Sequence, residues 1–150
     1  MNNTKKAVNQ VLVSNLDPKF KIRRKAVKSF ALRLLHDLNY KNTKLSIVFM
    51  TDAGIKKINE EFLSHDWATD VLAFPFQLPF LGEIIISIKR AQVQAQRFDA
   101  SFKEELARYI CHGILHLSGF KDKKPAQQKK MREKENQLLR DNCADIGKIF

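Results

Sequence analysis

The chain has 150 residues, 44% of them hydrophobic, and 27 basic residues against 16 acidic ones give it a formal charge of +11 at pH 7. This length and apolar content predict a single domain over residues 1–150 with an ordinary core. No stretch is apolar for long enough to cross a membrane and the first residues lack a signal-peptide pattern, so we expect a cytoplasmic protein with no membrane partner. Two cysteines are too few for a disulfide framework.

Hydrophobic periodicity predicts four strands and five helices along the chain. Short apolar runs predict the strands, at Gln10–Ser14, Leu45–Met50, Asp70–Phe74 and Glu83–Ile88. Three- and four-residue spacing predicts the helices: one after Pro18, one that Asp52 would cap, and three more at about Lys89–Phe98, Ser101–Gly119 and Ala126–Arg140. The order β-α-β-α-β-β-α-α-α favours an α+β domain, with a mixed sheet of about four strands packed with about five helices. The last two strands would pair antiparallel, although the prolines between them block a two-residue hairpin.

The fourth helix has recognisable ends and a clear buried face. Ser101 and Glu104 have the spacing of a capping box, and Gly119 supplies the permissive residue at which a helix ends and the chain turns. Its apolar stripe should pack inward and consists of Phe102, Leu106, Ile110, Ile114 and Leu117.

Two histidines on this helix, His112 and His116, stand four residues apart and therefore share one face. Asp122 follows the turn and is the first residue beyond it that offers a carboxylate. Two imidazoles and one carboxylate leave a fourth tetrahedral position for water, as in catalytic zinc sites. We therefore predict one divalent metal ion held by His112, His116 and Asp122. Zinc is the expected metal, although nickel and cobalt suit the same ligands.

The residue after the first histidine is Gly113, so the glutamate that serves as general base in H-E-x-x-H peptidases is missing. Peptidase activity is disfavoured for that reason. Glu83, in the fourth predicted strand, has two interpretations: a hydrogen bond to a ligating histidine, or an ordinary place at the sheet edge.

The positive charge is concentrated in two segments. One contains Arg23 and Arg24 at the start of the first helix, and the other contains Lys121, Lys123 and Lys124 directly after the histidines. A charge run is often only a solvated face, but the second run adjoins the predicted metal ligands. We therefore expect a polyanionic partner, with these five residues as candidate contacts to nucleic acid.

Four segments, taken in order, resemble the bacterial YbeY family. They are Ile58–Phe62, Ala68–Pro75, Leu81–Ser87 and His112–Phe120. The resemblance implies a metal-dependent endoribonuclease, a hydrolase of phosphodiester bonds that acts on single-stranded RNA. It also implies a role in ribosomal RNA maturation, at the ends of small-subunit ribosomal RNA, and in ribosome assembly, with ribosomal RNA or the small subunit as partner.

Two positions depart from the family pattern. The family usually has Asp-His where this chain has Lys121-Asp122, with that histidine as the third metal ligand. Leu63 falls where the family usually has an arginine thought to matter for RNA cleavage. Either Lys56 or Lys57 substitutes for that arginine, or the activity of this chain is reduced.

No general base can be assigned from the sequence, and the 2′-hydroxyl of RNA is an alternative nucleophile to water. The competing hypothesis is a ribosome-assembly factor that binds RNA, holds a structural metal and cuts no bond.

Overall fold

The computed structural model describes residues 8–63 and 70–150, except for the side chains at positions 62 and 63. In this part of the chain there are four strands, which are β1 (Gln10–Asn15), β2 (Lys44–Met50), β3 (Val71–Pro75) and β4 (Phe80–Ser87). The helices there are α1 (Arg24–Asp37), α2 (Asp52–Leu63), α3 (Ile88–Arg97), α4 (Phe102–Leu117), α5 (Pro125–Asp141) and α6 (Cys143–Ile146). The predicted α+β class is confirmed, and the short α6 is added to the five expected helices.

The four strands form one mixed sheet in the order β1-β2-β4-β3. The pairs β1–β2 and β2–β4 are parallel, with Val13 opposite Ile47 and Ile47 opposite Ile84. Strand β3 pairs antiparallel with β4, with Ala73 opposite Ile84. Residues 76–79 connect β3 to β4, which agrees with the expectation that a two-residue turn is blocked. The parallel pairs need helical crossovers, and α1 and α2 lie in those connections.

Helices cover both faces of the sheet. Helices α1 and α4 pack on one face around the larger apolar core, which includes Phe30, Ile47, Ile84 and Ile110, all fully buried. The other face packs on α2 through a smaller cluster that contains Ile55 and Ile85. Among the described helices, none combines the length and the apolar character that a membrane crossing requires.

Helix α4 is the central helix of the domain, because it touches α1, α3, α5 and α6 as well as β3 and β4. Gly113 allows its close approach to the sheet: a Cβ atom there would lie 2.6 Å from Cγ2 of Ile84. A glutamate at this position, as in the peptidase motif, would clash with β4, so the packing gives a physical reason for the glycine.

Of the two helix caps predicted from the sequence, one is confirmed and the other is wrong. At α4, the Ser101 hydroxyl accepts a hydrogen bond from the backbone N–H of Glu104 at 3.4 Å, as its spacing predicts. At α2 the predicted cap was wrong: Asp52 is the first helical residue, and the Thr51 hydroxyl accepts from the N–H of Gly54 at 3.1 Å. Asp52 instead accepts a hydrogen bond from the Ser87 hydroxyl and lies 3.7 Å from Nε of Arg90.

Candidate metal centre

Three predicted ligands meet where α4 ends. Nε2 of His112 lies 2.9 Å from Nε2 of His116. Oδ2 of Asp122 lies 3.4 Å from the first of these nitrogens and 3.2 Å from the second. Gly119 makes this possible, since its φ of +97° turns the chain back after the helix and brings the carboxylate over the histidines.

The outer nitrogen of each imidazole is held by an acceptor. Nδ1 of His112 lies 2.6 Å from Oε1 of Glu135 on α5, and Nδ1 of His116 lies 3.1 Å from the backbone carbonyl oxygen of Phe120. An Nδ1 that donates to such an acceptor leaves the lone pair of Nε2 free for a metal ion, and it fixes the orientation of the ring. Both histidines are therefore oriented for ligation through Nε2.

This arrangement corrects the suggestion that Glu83 supports a ligating histidine. Adjacent residues of a strand point to opposite faces of a sheet. Because Ile84 faces Gly113 on α4, Glu83 faces away from the histidines. Glu135 contacts His112 in its place, and its side chain is only 7% exposed.

The donor set fits a small divalent ion. Around a tetrahedral ion with bonds of about 2.0–2.1 Å, neighbouring ligand atoms are about 3.3–3.4 Å apart. The three observed separations run from 2.9 to 3.4 Å. Two neutral imidazoles and one carboxylate suit zinc and several other first-row metals. His112, His116 and Asp122 thus form a candidate metal site.

The charges around His112 favour its protonated form when no metal competes. Burial by itself lowers the pKa of this imidazole, but the hydrogen bond and negative charge of Glu135, together with Asp122, outweigh burial, so that the pKa is raised above its ordinary value. The same carboxylates attract a cation of any kind. The centre is therefore an electrostatic site for positive charge.

The three ligands stand in a cleft of about 460 Å³ between α4, α5 and the start of β3. Its polar lining includes Arg108 and Tyr109, which precede His112 on α4. Nη1 of Arg108 donates to Oε2 of Glu135 at 3.1 Å, so one carboxylate bridges an arginine and a ligand. The Tyr109 hydroxyl is buried, and burial, then the negative charge of Asp70, raises its pKa. The complete lining is Asp70, Val71, Arg108, Tyr109, His112, His116, Asp122, Gln128, Met131, Arg132 and Glu135.

The five basic residues predicted to contact nucleic acid are all exposed, but they lie in two separate places. Lys121, Lys123 and Lys124 are close to Asp122 in the chain, although none of them lines the cleft. The start of α1 instead lies near the start of α4, where the N–H of Arg23 donates to the carbonyl of Ile149 and Phe20 packs against Phe102. The rise of α4 from Phe102 to His116 is about 20 Å, so Arg23 and Arg24 lie far from the metal ligands.

Some residues of the site were missed by sequence reasoning, and one prediction falls outside the described part. Glu135 carried a usable signal, because it is an acidic residue spaced three and four positions from buried Leu138 and Met131, on the apolar stripe of α5. Arg108 carried no comparable signal. The side chain of Leu63 lies outside the described residues, so the reduced activity inferred from leucine in place of arginine stays a prediction.

Comparison with known proteins shows which family the chain belongs to. The sequence profile of the family described as endoribonuclease YbeY matches residues 12–142. The chain belongs to the YbeY family. The matched range contains β2 to β4, both histidines, Asp122 and Glu135, so the family assignment covers the whole candidate site.

Individual YbeY relatives match along most of their length. An endoribonuclease YbeY of Aquifex aeolicus is 37% identical over 145 residues, which are 93% of this chain and 95% of the relative. One of Flavobacterium johnsoniae is 40% identical over 98 residues, 64% of this chain and 70% of the relative. A Thermotoga maritima protein solved in solution has the same fold, with a TM-score of 0.62, 22% identity, and coverage of 90% of this chain and 93% of that one.

Proposed function

We propose that this YbeY family member is a metal-dependent endoribonuclease that cleaves single-stranded RNA. It acts in the cytoplasm on the ends of small-subunit ribosomal RNA, during ribosome assembly. The proposal assigns one active domain to residues 1–150 and one divalent ion, zinc, to His112, His116 and Asp122. The observation that carries it is the convergence of three ligand atoms within 3.4 Å of one another, in an open cleft, in a chain of this family.

Each residue of the centre has a part in this activity. A divalent ion held by His112, His116 and Asp122 would supply Lewis-acid polarisation of a phosphate group and would make water a better nucleophile near neutral pH. Glu135 and the Phe120 carbonyl hold the two imidazoles in the ligating orientation. The exposed Lys121, Lys123 and Lys124 bind the phosphates of a strand that leaves the cleft, and Arg23 and Arg24 bind RNA that reaches the far end of α4.

The first test is metal content together with RNA cleavage. Elemental mass spectrometry on the purified protein should find about one metal ion per chain, the stoichiometry of a three-ligand site with one open position. Chelation should abolish cleavage of a single-stranded RNA, and zinc should restore it. His116→Ala should lose both metal and cleavage while it stays folded, whereas the control His36→Ala, which changes an exposed histidine on α1, should keep both. Cleavage by His116→Ala at the wild-type rate would refute the metal mechanism.

A second candidate function is RNA binding in ribosome assembly with a structural metal and no cleavage. Leu63 favours it, because the resemblance places an arginine important for cleavage at that position. This alternative predicts salt-sensitive RNA binding by a wild-type protein that leaves the RNA intact with every divalent metal supplied. Turnover that depends on His116 would exclude it.

A further inference from the structure

The cleft around the metal ligands carries more negative than positive side chains. Asp70, Asp122 and Glu135 line it, against Arg108 and Arg132 as the basic residues among the described lining. A phosphodiester that enters this cleft meets three carboxylates. Beside the metal ion, a fixed positive side chain favours binding of an anion there, since a positive side chain free to move pays an entropy cost when it is immobilised.

Arg108 is the better placed of the two arginines. It precedes His112 by four residues on α4, so the two side chains are neighbours on one helix face. Its Nη1 donates to Oε2 of Glu135 at 3.1 Å and its Nη2 donates to Oδ1 of Asn136 at 3.0 Å. These two contacts fix the plane of the guanidinium. In the described part of the chain Arg132 has no such anchor and is exposed.

The anchored guanidinium still has binding capacity. An arginine has five N–H donors in a fixed fork, and the contacts to Glu135 and Asn136 use two of them. Its side chain is 36% exposed. It lines the cleft on one side and a second cavity of about 290 Å³ on the other. Guanidinium groups bind phosphate oxygens through paired hydrogen bonds better than ammonium groups do.

We propose that Arg108 is a phosphate-binding residue of this cleft, which holds an RNA phosphate beside the metal ligands. The inference rests on the proposed function, because it takes RNA as the ligand. It assigns two roles to one side chain: Arg108 contacts Glu135 and Asn136 through two of its N–H groups and binds substrate phosphate through the others. The metal ligands and the phosphate-binding group are then joined through a single carboxylate.

The test measures RNA binding against salt concentration, separately from cleavage. The probe is a fluorescent single-stranded oligonucleotide with 2′-O-methyl groups, checked on a gel to be intact. Wild type is compared with Arg108→Met, Arg108→Lys and the control Arg33→Met, which removes an exposed arginine paired with Asp145 at 3.2 Å. Metal content and thermal unfolding are measured for every variant.

We expect Arg108→Met to bind the oligonucleotide about tenfold more weakly at low salt, as loss of a charge-assisted hydrogen bond implies. The slope of log affinity against log salt should fall by about 0.7, the value for one phosphate contact on a single strand. Arg108→Lys should keep the slope and lose part of the affinity, because its charge remains but the fork does not. Arg33→Met should match wild type in both.

Two results would refute phosphate binding by Arg108 and would leave the proposed function unaffected. If Arg108→Met keeps the wild-type slope and affinity, Arg108 does not bind phosphate. If it loses metal and keeps the slope, Arg108 only supports Glu135. The opposite failure, a wild-type protein that binds no oligonucleotide and cuts no RNA, would refute the proposed function itself.

Discussion

The substitution Glu135→Gln tests whether the carboxylate on α5 tunes the metal centre. Glu135 accepts from Nδ1 of His112 at 2.6 Å and from Nη1 of Arg108 at 3.1 Å, with 7% of its side chain exposed. Glutamine has nearly the same shape but only one acceptor oxygen, so its NH2 group must face one of the two donors. The substitution therefore removes one hydrogen bond outright and the charge from the other.

The expected magnitude follows from these contacts. A hydrogen bond to a charged group contributes about 1.5–3 kcal/mol, against about 0.5–1.5 kcal/mol for a neutral one. Loss of the carboxylate charge therefore weakens the hydrogen bond to His112 by about 1–1.5 kcal/mol. Misorientation of the imidazole ring weakens metal binding further. Mutation of such supporting residues typically lowers metal affinity about 10–100-fold, and we expect Glu135→Gln to fall in this range.

Zinc affinity is measured by competition with a chromophoric chelator, with thermal unfolding as a check on folding. Glu133→Gln is the matched control, because Glu133 lies on the same helix two residues earlier and is exposed. It should bind zinc as wild type does. If Glu135→Gln also binds zinc with wild-type affinity, the idea that Glu135 orients His112 for ligation is wrong.

Three further predictions concern core packing, thiol accessibility and one tertiary hydrogen bond. Gly113→Ala should lower the free energy of unfolding in urea by about 1–3 kcal/mol, because the added carbon overpacks α4 against β4. The control Gly147→Ala, where the nearest atom to the added carbon is 3.8 Å away, should lower it far less. Equal losses in the two variants would contradict this reasoning. A thiol reagent should modify exposed Cys143 quickly and Cys111 only on unfolding, since burial raises the pKa of the Cys111 thiol to about 12; two fast thiols per chain would contradict it. Tyr40→Phe should lower the free energy of unfolding by about 1 kcal/mol, since the Tyr40 hydroxyl donates a hydrogen bond to Oγ of Ser118, at the end of α4, at 2.9 Å. An unchanged unfolding midpoint would show that this hydrogen bond contributes nothing to stability.

The convergence of the three candidate metal ligands was predictable because they are local in sequence. His112, His116 and Asp122 fall within eleven residues, and helical spacing followed by a glycine turn is sufficient to bring them together. Glu135 was not predicted, since it reaches His112 from another helix, 23 residues away. Helix packing decides which face of α5 meets α4, and one sequence contains little information on that choice.

The sheet shows the same division between local and long-range information. The periodicity of each strand predicted its existence, and the antiparallel pairing of β3 with β4 follows from their short connection. The order β1-β2-β4-β3 did not follow, because it places β4 beside β2 by a parallel pairing that spans α2 and β3. The density of basic residues likewise predicted that both basic segments are exposed. It did not predict that the two segments lie far apart, with Arg23 and Lys121 at opposite ends of α4.

The two imidazoles of the centre are supported by chemically different parts of the chain. The partner of His112 is a side chain, which one nucleotide change can replace. The partner of His116 is the main-chain oxygen of Phe120, which every amino acid at that position supplies. Evolution or design can therefore retune the basicity of one ligand by substitution at position 135, whereas the other changes only if the turn at Gly119 is rebuilt.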